Sequence, residues 1–85
     1  MIMVNVNIVN AALWRVQFAK AEQSAYNRKH GLEGSWAATQ HMAGLLAQES
    51  ALVNIVNLLK AGKNVDADSV SFIVDRVVAT LPAVN

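Results

Sequence analysis

The chain has 85 residues, 54% of them apolar and 15% charged, and its seven Lys and Arg against six Asp and Glu leave a formal charge of +1. That composition excludes intrinsic disorder, and the charge balance gives no push toward nucleic acid or an anionic membrane surface. The absence of Cys removes disulfide and thiolate chemistry, and the length suits one small domain, 1–85, with a modest core.

The N-terminus has neither a basic leader nor a clean apolar stretch, so no cleaved signal peptide is expected. Ile2–Ile8 alternates as a half-buried strand would, and this is the alternative to an early helix start. The favoured first element is a helix from about Asn5 or Asn7 to Lys29. It is Ala-rich, has no Gly or Pro, and ends in Arg28-Lys29-His30 before Gly31. Cations in the last turn followed by Gly are a C-terminal signature. A helical wheel groups Ile8, Ala12, Phe18, Ala19 and Tyr26 as its apolar stripe, with Arg15 and Glu22 inside it.

His30-Gly31-Leu32-Glu33-Gly34-Ser35 is the only strong break between the long apolar segments. The chain must reverse there, so Gly31 or Gly34 is expected at a backbone conformation open mainly to Gly. Ser35 is a natural N-cap for a second helix, Trp36 to Ala61, which stops at Lys60-Ala61-Gly62-Lys63 in the same manner as the first. Its main stripe is Ala38, Met42, Leu45, Leu46, Leu52, Val53, Val56 and Leu59, and Glu49 falls in the middle. Asn54 and Asn57 interrupt the richest apolar stretch, so no membrane span is expected. Asp66 or Asp68 then caps a third helix, about Ser69 to Leu81, ended by Pro82. Val70–Val78 is β-branched enough to be a strand, but Val70, Ile73, Val74, Val77 and Leu81 keep helical spacing.

The expected fold is therefore all-α, an antiparallel helical hairpin of two long helices plus a short third C-terminal helix. Reversal at the break sets the five-residue word Val-Asn-Ile-Val-Asn at Val6–Asn10 beside its second copy at Val53–Asn57. It also sets Arg15 level with Glu49, and pairing is the natural solution for two charges inside apolar stripes. A role for Glu49 as a general base is disfavoured, because a neighbouring Arg holds a carboxylate ionised.

Chemistry-bearing constellations are thin. His30 and His41 stand eleven apart without a Cys or a helical His partner, and Asp66-Ala67-Asp68 lacks the Gly and Glu of a calcium loop. No Ser has a nearby His to act as base. No catalytic, cofactor-binding or metal-binding residue is named, and no cofactor or enzymatic activity is expected. The basic residues Lys20, Arg28 and Lys29 are balanced by acids and do not form a nucleic-acid-binding face. A short Ala-, Asn- and Gln-rich helical hairpin is also the plan of type III secretion needle and rod proteins and of small secreted Trp-x-Gly hairpins. The chain shares no word with either, and its turn reads Gly34-Ser35-Trp36.

Charge placement gives the functional expectation. Seven of the 13 charged residues sit at expected helix ends, which leaves Glu49 alone in the body of the second helix. A free-standing surface helix needs a charged outer face, and this one offers Ala43, Ala47, Ala51, Asn54 and Leu58. These faces are expected to meet protein, either copies of the chain in a homo-oligomer or one specific partner. Asn10, Asn54 and Asn57, with Val9, Leu58 and Trp36, are the expected interaction residues, since Asn can satisfy Asn across a symmetric contact. The expected role is a non-enzymatic structural or assembly subunit, cytoplasmic or particle-associated. The alternative is a small monomeric or dimeric adaptor or inhibitor of one macromolecular partner.

Overall fold

The computed structural model describes residues 4–84. These form three helices, α1 (Val6–Lys29), α2 (Trp36–Lys60) and α3 (Ala67–Thr80), with no strand. Ile2 and Met3 of the alternating segment lie outside the described residues. From Val6 onward that segment is helical, because Asn5 Oδ1 accepts the Asn7 N–H at 2.8 Å and caps α1. Alternation without a second strand to pair against cannot hold a sheet. Val70–Val78 is helical for a related reason: Val70, Val74 and Val77 recur on one face and all three are buried.

Each helix starts on a side-chain cap. Ser35 Oγ accepts from the Ala38 N–H at 3.1 Å, and Asp66 Oδ1 accepts from the Asp68 N–H at 3.3 Å. The ends of α1 and α2 share one design. Gly31 has φ 65° and Gly62 has φ 72°. At the first, the Leu32 N–H reaches Asn27 O at 2.7 Å while the Gly31 N–H reaches Arg28 O at 3.4 Å. At the second, Lys63 and Gly62 donate to Leu58 O and Leu59 O at 3.0 and 3.1 Å. Both are Schellman closures, which need a residue free to enter the left-handed region.

The core is aliphatic. Val9, Ala12, Leu13 and Val16 of α1 meet Leu45, Leu52, Ile55 and Val56 of α2, and Val70, Val74 and Val77 of α3 close the third side. α1 packs most extensively on α2 and then on α3, while α2 and α3 touch least. Between those two lies an open cleft of about 550 Å³, bordered by Gly44, Ala47, Phe72 and Arg76.

The α1 stripe differs from the wheel reading. Ile8, Phe18 and Tyr26 are exposed; Ala12 is buried and Ala19 packs against the core as expected, and Val9, Leu13, Val16 and Asn27 complete the inward line. Two helices press on α1 at once, and small or β-branched side chains let them approach more closely than aromatic rings would. In α2 the expected Ala38, Leu45, Leu52 and Val56 are buried, and Met42 and Leu59 pack against the core, but Leu46 and Val53 face outward.

Candidate functional site

Charge pairing comes first, because it positions the helices. Glu49 does not pair with Arg15. Lys20 Nζ donates to Glu49 Oε1 at 2.8 Å, with 30% and 20% of the two side chains exposed. The true α1 seam carries Lys20 where the wheel had placed Arg15, about one helical turn away. Arg15 serves α3 instead. Its Nη1 donates to Leu81 O at 3.0 Å and to Val78 O at 3.4 Å, carbonyls at a helix end that the α3 ladder leaves open. A cation there also answers the negative end of the helix dipole, and α3 has no basic residue in its own last turn. Near the turn the seam stays polar: buried Asn27 accepts from Gln23 Nε2 at 2.9 Å through its Oδ1. Among the described residues no buried side-chain nitrogen or oxygen lacks a partner.

The expected interaction residues separate. Val9 is 0% exposed and belongs to the core, so it cannot meet a partner. Asn54 and Asn57 are exposed, Asn10 and Leu58 are half-buried, and Trp36 is 78% exposed at the start of α2. Of the two turn glycines, Gly31 holds the left-handed φ and Gly34 does not. Asp66, fully exposed, has its carboxyl held below the usual Asp range. The Ser69 hydroxyl at 2.6 Å is the main cause and the Asp68 N–H the next.

The most distinctive surface feature is the aromatic inventory. The chain has two Trp, two Phe and one Tyr, and all five are exposed. Tyr26 has a local reason, a tilted contact with the His30 ring at 4.3 Å between centroids. Trp14 and Phe18 have none. They sit one turn apart on α1, 64% and 45% exposed, on the side opposite the buried line. Exposed Ala11, Ala21 and Ala25 continue that face, so Ala11, Trp14, Phe18, Ala21 and Ala25 follow the three-and-four spacing of a coiled-coil seam. The spacing was legible in the sequence. The wheel reading assigns aromatic Phe18 to the core, and that assignment hides the outer face.

Comparison with protein-family models, curated proteins and solved structures finds no match to this chain.

Two further observations bound the site. Among the described residues no three His, Cys, Asp or Glu side chains gather where they could hold a metal ion. By length and composition only, α2 is long and apolar enough to cross a membrane, a test that the core helix of a soluble protein also passes, so the expectation of no span is not overturned. Asn54 and Asn57 do not offset its Ala, Leu and Val content. In this fold, however, α2 lays Leu52, Ile55 and Val56 against the core and carries Glu49 to Lys20.

Proposed function

We propose that the protein is a non-enzymatic assembly subunit that works by packing helix against helix, with further copies of itself as partner. The observation that carries this reading is the outward placement of all five aromatic side chains around a purely aliphatic core. Aromatic residues bury large areas with little loss of conformational freedom and are enriched where proteins meet. An exterior built this way is costly in water and useful at a contact.

Shape and area support the reading. The radius of gyration is 14.3 Å and the principal extents are 49 × 24 × 20 Å, where a compact chain of this length would have a radius near ~12 Å. The accessible surface is 5933 Å², against roughly 4,900 Å² for a compact monomer of this mass. The excess, roughly 1,000 Å², is comparable to the ~800 Å² per partner that a standard interface covers.

Within the subunit, the reading places α1 and α2 as an antiparallel hairpin. Their lengths of about 36 and 38 Å cannot be laid end to end within the longest extent. A six-residue connection joins them, and Lys20 bonds Glu49 near the middle of each helix. Light scattering coupled to size exclusion, at a low and a high concentration, tests the function. A mass of two or more chains is expected. A monomer at both concentrations favours the adaptor that caps one other macromolecule.

A further inference from the structure

The surface that carries self-association can be named. We propose that two copies of the chain pair through the outer face of α1, antiparallel, about a two-fold axis between Ala19 and Lys20. The proposal rests on the self-association reading and adds to it the interface, its symmetry and its register.

The face is a seam by spacing. Asn7, Ala11, Trp14, Phe18, Ala21, Ala25 and Arg28 fall alternately three and four residues apart, all exposed, on the side of α1 away from its buried line. A second α1 laid antiparallel across it has only a few registers in which seam positions meet.

One register fits in size. It sets Phe18 opposite the second copy's Ala21, and Trp14 opposite the second copy's Ala25, with each pairing repeated by symmetry. Every layer then joins one large side chain to one small one, so the rings fill the space the alanines leave. The outermost layer sets Ala11 under the aliphatic stem of the second copy's Arg28.

The same register fits in charge. Arg15 and Glu22 flank the seam on one side, and each comes beside the other residue of the second copy. This makes two equivalent cross-chain ion pairs at the edge of the contact. Glu22 is exposed and forms no ion pair among the described residues, and Arg15 uses only Nη1 for α3.

Neighbouring registers fail on both counts. Sliding the second copy one heptad in one direction sets Trp14 against Phe18 and Arg15 against its own mate. Sliding it the other way sets Ala21 against Ala25 and brings the two Glu22 together. A parallel pairing in register stacks Trp14 on Trp14 and Phe18 on Phe18 and leaves the alanine layers empty. Agreement of size and charge in a single register is what identifies the second copy as the occupant.

The test uses the full chain. Ala21→Glu with Ala25→Glu puts carboxylates at two positions that are exposed in the subunit but buried in this contact. The parent is expected to scatter as a dimer or a multiple of it. The variant is expected at half that mass or less, with unchanged helical circular dichroism. A parent that self-associates and a folded variant that keeps its mass would overturn this interface and leave the self-association reading standing. A parent that is monomeric at every concentration overturns both. If the variant does not fold, cysteine cross-linking decides, because the chain has no Cys of its own. Ala21→Cys lies about 5 Å along the axis from its mate and should form a disulfide dimer on oxidation, while Ala11→Cys lies about 25 Å away and should not. Equal cross-linking by both, or by neither, rejects the antiparallel register.

Discussion

Lys20 Nζ bonds Glu49 Oε1 at 2.8 Å, and this one contact joins the middle of α1 to the middle of α2. The pair is half-buried, between the exposed case that contributes under ~1 kcal/mol and the fully buried case whose breakage costs ~3–5. We expect Glu49→Ala to lower unfolding free energy by about 1–2 kcal/mol in urea titrations. A double-mutant cycle should show coupling of Glu49 to Lys20 and none to Arg15. Coupling to Arg15 of equal size would mean that the two helices sit about one turn from the register described.

The glycines of the turn should respond unequally. Gly31 holds φ 65°, and no atom stands within 4 Å of where its Cβ would be, so Ala is penalised there by backbone strain alone. Gly31→Ala should destabilise by about 1 kcal/mol. Gly34 has equally open surroundings and an ordinary φ, so Gly34→Ala should stay within ~0.5 kcal/mol of the parent. Thermal melts of the two single variants measure the difference, and equal effects would place the strain elsewhere.

The start of α3 should be acid-sensitive. The Asp66 carboxyl is held below its ordinary value of 3.8, chiefly by the Ser69 hydroxyl. A depressed folded-state pKa contributes stability that is fully present above the unfolded value and is lost as pH falls through the folded one. Amide protection factors at Asp68 and Ser69, each taken against the intrinsic exchange rate at the same pH, should therefore fall on acidification from about pH 5 to about pH 2. Asp66→Asn keeps a cap oxygen without a titrating group and should flatten that change. An unaltered pH profile in the variant would show that another carboxylate governs this end.

Helix positions were legible in the sequence because local chemistry sets them. Ser35 caps as expected, Asp66 is the one of the two candidates Asp66 and Asp68 that caps α3, and Gly31 and Gly62 end helices where cations precede them. No neighbour is needed to decide such features, since the groups being satisfied lie within a few residues. The partner of Glu49 was harder to read. Arg15 and Lys20 both lie on α1, and the choice between them depends on how far one helix slides along the other.

The repeated word shows where sequence stops and tertiary structure begins. Val6–Asn10 and Val53–Asn57 are identical, both helical, and both amphipathic only in outline. In α2 the word buries Ile55 and Val56, while in α1 it buries Val9 and leaves Ile8 exposed. The same five residues thus take different inner faces. Composition and spacing determined that each segment is a helix, because backbone hydrogen bonds and caps are local. Which side of each helix turned inward was decided only when α1 received two neighbours and α2 chiefly one, and that choice left Trp14 and Phe18 on the outside.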